Sequence, residues 1–315
     1  MNDLVEISKK ILSDYLGVKP GEKYLVVTDD YEEELANYLY KAGKELGLVS
    51  MLLKILPLSR SGEEPPLAVA EAMKNVDVAI LITQKSLTHT KAKEEAAKSG
   101  ARIATMPGIT KDMFLKGAMT ADYAEIERLT KKVAEILTNG KHVIIEKDGY
   151  KLEMSIEGRM GIASTGRYLE KGQSGNLPSG EAYIAPVEGS SQGSILADGS
   201  IVGLGKLTSP ILLEIEKGLL VNAKGERAEE WLKILGNSEA ARNVAEFGIG
   251  TNPNARLTGN ILEDEKILGT IHVAFGTNID FGGKVNAGIH LDAVVLAPTF
   301  YVDGRLIMDK GKLLV

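Results

Sequence analysis

Hydrophobic and polar positions fall into two rhythms along this chain. In the first ~140 residues, apolar residues at helical spacing alternate with short unbroken apolar runs. Leu4, Val5, Ile7, Ile11, Leu12 and Leu16 recur three or four apart, the stripe of an amphipathic helix. After the turn Pro20-Gly21, the run Lys23–Thr28 (Lys-Tyr-Leu-Val-Val-Thr) reads as a strand covered on both faces. A helix over about 32–46, a strand over 50–55, a helix over about 68–74 and a strand over 76–83 continue the alternation. Such strands separated by helices predict a parallel sheet. A helix over 121–137, stopped at Asn139-Gly140, closes an α/β domain of residues 1–140.

Beyond residue 140 the pattern changes to strands and glycine turns. Asp148-Gly149, Asp198-Gly199 and Asp303-Gly304 each separate two β-like runs, which predicts hairpins. Two helical stretches, 226–235 and 238–245, interrupt them. Residues 141–315 therefore read as a strand-rich α+β domain, and 315 residues suit two cores better than one.

Composition narrows the function. With 44% hydrophobic and 25% charged residues the chain is an ordinary globular one. The net charge of −6, with 37 basic and 43 acidic residues interspersed, offers no field for phosphates, so nucleic acid is not an expected partner. There is neither a basic-then-apolar leader nor an apolar run of spanning length, so the expectation is a cytoplasmic protein with no membrane partner. The absence of cysteine removes disulfides and leaves imidazole and carboxylate as the ligands for any metal.

Those ligand types gather in the second domain, in a chain with only four histidines. His290 and Asp292 are two apart, which on a strand points both to one face. His272 lies in the strand-like run Gly269-Thr-Ile-His272-Val-Ala-Phe-Gly276. Glu246 follows the helical stretch and precedes Phe247-Gly-Ile-Gly250, and Glu181 sits in Asn176-Leu-Pro-Ser-Gly-Glu181-Ala-Tyr-Ile-Ala-Pro186. Singly, each has an ordinary explanation: a polar strand face, a core histidine, a solvated helix-end glutamate, an exposed strand foot. Together they predict a divalent metal site. Asp264-Glu265-Lys266 reads as a charged turn or a second shell, Arg159 and Arg167 as candidates for a substrate carboxylate, and His89 and His142 as surface residues. Gly203-Leu-Gly205 and Gly172-Gln-Ser-Gly175 lack the strand–loop–helix setting of a dinucleotide site and read as turns.

Residues 176–186, 246–250, 269–276 and 290–292 resemble, in order, the motifs of the aminopeptidase T family (metallopeptidase family 29), over roughly residues 170–300. The resemblance implies that Glu181, Glu246, His272, His290 and Asp292 ligate two divalent ions (Zn, Co or Mn) facing a cleft between the domains. It also implies a homodimer that removes N-terminal residues from a small peptide substrate, with Glu181 or Glu246 as general base. Three carboxylates and two neutral imidazoles around two dications leave about one positive charge for a bridging hydroxide. Two departures stand out. Ile279 occupies the place of a family tyrosine seven residues past the first histidine, and only 18 positions separate His272 from His290. A related family, the iron-dependent 2,5-dihydroxypyridine dioxygenases, implies instead one Fe(II) on His272, His290 and Asp292. Glu181 and Glu246 would then need protonation, a basic partner or use as a base. A third reading is a metal-stabilised or ligand-binding protein without turnover.

Overall fold

The computed structural model describes residues 2–315, which form two compact units. The first takes the chain up to Ala124 together with Thr165–Ser179; the second takes Glu125–Ser164 with Gly180–Val315.

The first unit is α/β, as its alternation predicts. Its five strands lie in the order Val49–Lys54, Lys23–Thr28, Val78–Ile82, Arg102–Thr105, Ser174–Asn176, all parallel. Lys23–Thr28 is buried from Tyr24 onward and Val78–Ile82 is buried throughout, the burial that unbroken apolar runs require. The first helix, Asn2–Lys10, continues into a wider turn over Ile11–Tyr15, where the Leu16 amide donates to the Ile11 carbonyl at 3.1 Å. The division differs from the break expected at residue 140. It falls inside the helix Tyr123–Asn139, and Ser174–Asn176 returns to pair with Arg102–Thr105. A three-residue strand completing a sheet begun far upstream has no local rhythm to read.

The second unit is strand-rich and antiparallel. One sheet has eight strands: Leu219–Lys224, Ile211–Glu216, Gln192–Ala197, Tyr150–Ser155, His142–Lys147, Thr299–Val302, Arg305–Asp309 and Lys312–Leu313. The other has seven: Gly205–Lys206, Ser200–Ile201, His290–Leu296, Thr270–Gly276, Val244–Gly250, Glu181–Ile184 and Ile162–Ser164. Asp148-Gly149 and Asp303-Gly304 turn true hairpins, each pair carrying the two positive φ angles of a tight turn. Asp198-Gly199 does not. The strand before it belongs to the eight-stranded sheet and the strand after it to the seven-stranded one. Asp198 accepts instead from the Leu296 amide at 2.7 Å and pairs with Lys147 at 3.0 Å. The helical stretch expected over 238–245 is only Glu239–Arg242, capped by the Ser238 hydroxyl accepting from Ala241 N at 3.1 Å. Val244–Gly250 is a fully buried strand, so Glu246 is a strand residue rather than a helix-end one.

Period-two alternation places the core and the site on opposite faces of the seven-stranded sheet. Ala182, Ile184, Phe247, Ile249, Ile271, Val273, Phe275, Leu291, Ala293 and Val295 join one buried cluster with Val143, Ile145, Leu152, Ile195, Leu213 and Phe300 of the other sheet. Phe247 meets Phe300 edge-on, with ring centroids 5.5 Å apart. Burying each large apolar side chain contributes roughly 1.5–3 kcal/mol. A slip of one residue would send this whole set outward, so the register is fixed by the core. The same register obliges Glu181, Glu246, His272, His290 and Asp292 to share the other face. Among the described residues no helix is long and apolar enough to cross a membrane.

Candidate metal centre

Four adjacent strands supply the five side chains, and a small residue stands opposite each of them on a neighbouring strand. Glu181 pairs with Gly250, His272 with Gly248, His290 with Gly276, and both Glu246 and Asp292 with Ala274. These small partners leave room for ligand side chains to lean across the sheet. At Gly248 the room is fully used: an added Cβ would lie 2.7 Å from Cδ2 of His272 and nearer still to Nε2 and Cε1. At Gly250 a Cβ would overlap the backbone of Ile267.

Glu181, Glu246 and Asp292 gather around His272, and His290 joins the cluster through Asp292 and Glu246 rather than at His272 itself. Its Nε2 is 3.1 Å from Glu246 Oε1 and 3.5 Å from Glu181 Oε2. His290 Nε2 lies 3.4 Å from Asp292 Oδ1 and 3.5 Å from Glu246 Oε2. His290 Nδ1 donates to the Thr277 carbonyl at 2.8 Å, which leaves Nε2, once deprotonated, as the nitrogen that faces the carboxylates with a lone pair. Ligand atoms of Glu246, His272 and Asp292 all lie within 4.8 Å of one another, and so do those of Glu181, Glu265 and His272. Glu181, Glu246, Glu265, His272 and Asp292 are all buried. Glu181 Oε2 and His272 Nδ1 are buried without a hydrogen bond. An imidazole–carboxylate set with an orphaned carboxylate oxygen and a tautomer-fixed histidine fits a divalent ion.

Charges on the side chains of the cluster compensate one another. Burial opposes a charged His272, yet its hydrogen bond to Glu246 and the carboxylates of Glu181 and Glu265 push its pKa up to about 9. Burial likewise opposes charge on His290, but Asp292 and Glu246 raise it to about 10. Burial would raise Asp292, and the His290 and His272 imidazoliums outweigh it, holding the carboxyl down to about 2. Burial raises Glu181 and Glu265 above the usual carboxylate range despite the nearby Lys266.

These shifts set a pH dependence. The two raised histidines stabilise the chelated fold fully below the ordinary histidine value of 6.5, and that contribution is lost as pH rises through about 9 and 10. Asp292, lowered, contributes above the ordinary aspartate value of 3.8 and loses that as pH falls through about 2. Chelated protein is therefore expected to be most stable between about pH 4 and 6.5 and to lose several degrees of melting temperature by pH 9–10. Affinity for Mn(II) should rise over the same window, because fewer protons must be displaced. Thermal scans in EDTA at stepped pH check this; a melting temperature flat from 6.5 to 10 contradicts it.

The charged run just before the His272 strand belongs to the centre. The run Glu263–Lys266 is not a solvated turn: all four residues are buried. Lys266 Nζ donates to Glu181 Oε1 at 2.8 Å and also to the carboxylate of Glu265. Asp264 accepts from Thr258 N at 2.6 Å, Thr258 Oγ1 at 3.0 Å and Gly259 N at 2.8 Å, while Glu263 pairs with Arg256 at 3.3 Å. The one available signal was the position of this ionisable run, directly against a histidine strand. Asp264→Ala would strand three donors and is expected to destabilise the fold by about 2–4 kcal/mol, as read by urea unfolding.

The remaining candidates fall elsewhere. Arg159 is committed to Glu188 and to the Gly282 carbonyl. Arg167 belongs to the first unit, and His89 and His142 are exposed. Ile279 is half exposed in the short turn Ile279–Phe281. Two residues on, Phe281 meets His290 edge-on at 5.9 Å and Tyr183 at 5.4 Å.

A family model, the NicX 2,5-dihydroxypyridine 5,6-dioxygenases, matches residues 3–315. The chain belongs to that family of enzymes. Among solved structures, the 2,5-dihydroxypyridine dioxygenase of Pseudomonas putida is similar with a TM-score of 0.86 and 18% identity, covering 99% of this chain and 97% of that one. AmpT of Thermus thermophilus is similar with a TM-score of 0.72 and 16% identity, covering 100% and 99%. At these identities both likenesses are of fold. No curated protein sequence matches. The resemblance to aminopeptidase T thus holds for the architecture, whereas the family is the related dioxygenase one.

Proposed function

We propose that this member of the dioxygenase family is an Fe(II)-dependent ring-cleaving enzyme acting on a small hydroxylated aromatic ring of the dihydroxypyridine type. The observation that carries the proposal is the set of two histidines and one aspartate, His272, His290 and Asp292, on neighbouring strands of one sheet face in a chain matching that family end to end. These three residues would hold the ion, and Fe(II) bound there supplies the redox partner through which molecular oxygen reacts with an aromatic ring. The ring provides the electrons and both oxygen atoms enter the product, so no external reductant is consumed.

The chain's own groups have complementary tasks. Phe281 and Tyr183, both half-buried, present an edge-to-face aromatic pair beside His290, against which a flat ring packs. Glu246, buried beside the Nε2 atoms of both histidines, is placed to take a hydroxyl proton from the substrate at Oε2. Ile279 brings no phenol to the site, which weighs against peptide hydrolysis.

The second reading, a dinuclear aminopeptidase-like hydrolase using Zn, Co or Mn, draws on the retention of Glu181 beside a second trio of ligand atoms. One assay pair separates the two. Anaerobically Fe(II)-loaded protein is expected to consume about one O2 per 2,5-dihydroxypyridine with loss of the ring absorbance. Amino-acid anilide hydrolysis after Zn or Co loading, with no oxygen uptake after Fe loading, would reverse the assignment.

A further inference from the structure

We infer that Lys266 is a built-in cation standing where a second metal ion would otherwise bind, and that it holds this centre to a single ion. The inference rests on the metal-dependent reading of the site and specifies its stoichiometry.

Glu181, Glu265 and His272 bring ligand atoms within 4.8 Å of one another, the spread of a one-ion site, alongside the Glu246–His272–Asp292 group. The two groups overlap at His272, whose Nε2 has a single lone pair and serves one ion, so a second ion beside the first would rest on the carboxylates of Glu181 and Glu265. Lys266 enters the first group. Its ammonium donates to Glu181 Oε1 at 2.8 Å and to Glu265, and the side chain is wholly buried. The residue cannot swing away easily. Its amide donates to the Glu263 carbonyl at 3.0 Å, its carbonyl accepts from the Asn252 amide at 2.8 Å, and the preceding Asp264 is tied to Thr258 and Gly259.

The charges make the consequence definite. Two carboxylates and one ammonium leave a single negative charge here, and a dication arriving beside a fixed ammonium meets strong repulsion in a buried site. Remove the lysine charge and the pair of carboxylates carries the two negative charges that one divalent ion neutralises. A carboxylate oxygen is already waiting: Glu181 Oε2 is buried without a hydrogen bond, and its nearest base is His272 Nε2 at 3.5 Å. Lys266 also removes the electrostatic objection to one Fe(II), because it supplies Glu181 with the basic partner that a mononuclear site demands.

The test uses the full chain, stripped with a chelator, loaded with excess MnCl2 and desalted, with bound Mn(II) counted by mass spectrometry and observed by electron paramagnetic resonance. Wild type is expected to retain about one Mn(II) per chain with the spectrum of an isolated ion. Lys266→Met is expected to retain about two, with the spectrum broadened by coupling between neighbouring ions. Lys266→Gln keeps hydrogen-bond donors but no charge; it should also retain two, and it decides the matter if the methionine variant does not fold. Soluble variants that stay at one ion overturn the inference, as does wild type binding two. Wild type that binds none overturns the metal reading of the site itself, a result distinguishable from the other two.

Discussion

His272→Ala is expected to leave the protein folded but with less than a tenth of the wild-type metal content, and with oxygen uptake at background. The reason is position rather than ligand count. His272 belongs to both trios of ligand atoms, so its loss disables a one-ion and a two-ion centre alike. The imidazole is fully buried, and its removal leaves a cavity and takes away the partner of Glu246 Oε1. Both effects cost stability, together about 2–4 kcal/mol. Circular dichroism at 25 °C should therefore be unchanged while the melting temperature falls. His290→Ala should be milder in stability, because that side chain is a quarter exposed, and should lower metal content as the loss of one proposed ligand does. Retention of stoichiometric metal by His272→Ala would refute the ligand assignment.

Gly248→Ala should reproduce much of that loss without touching a ligand. The added methyl would lie within the space of the His272 ring, 2.7 Å from Cδ2 and closer to Nε2. The ring is sealed on all sides and has nowhere to retreat, so it must tilt from the carboxylates or the two strands must separate. Displacing a ligand through its support costs about 10–100-fold in metal affinity, and overpacking of this kind costs about 1–3 kcal/mol of stability. Titration with Mn(II) under native conditions gives the affinity. An alanine variant that binds as tightly as wild type would show that the His272 ring need not lie across this glycine.

The legible part of the molecule was the part set by local period. Unbroken runs such as Lys23–Thr28 and Val78–Ile82 announced buried parallel strands, and the His290–Asp292 spacing placed both on one face of a strand. What the sequence concealed depended on distant partners. Asp198-Gly199 carries the local chemistry of a hairpin turn, and only the assignment of its two strands to different sheets shows otherwise. Glu246 followed a helical stretch, and only pairing with Thr270–Gly276 makes it a strand residue. Lys266 looked solvated because a run of charges normally is. Its burial requires Glu181, which lies 85 residues upstream, together with the Asp264 and Glu263 anchors. The resemblance to aminopeptidase T caught the architecture and the shared residues, but motifs common to two related families could not say which chemistry they serve.

The arrangement of the centre across four neighbouring strands has a consequence for how the protein is made. Glu181 and Asp292 lie at the two ends of a long stretch of chain, and apart from His290 and Asp292, which share a strand, the ligands meet only when the strands between them pair in register. Such pairings are of high contact order and form late. During folding an ion therefore finds at most the two donors of His290 and Asp292, too few to hold it tightly. It can arrive only at a finished sheet, so metal uptake becomes a reporter of complete assembly rather than its cause. In a refolding experiment, capture of Mn(II) should lag behind recovery of strand signal and coincide with burial of Trp231.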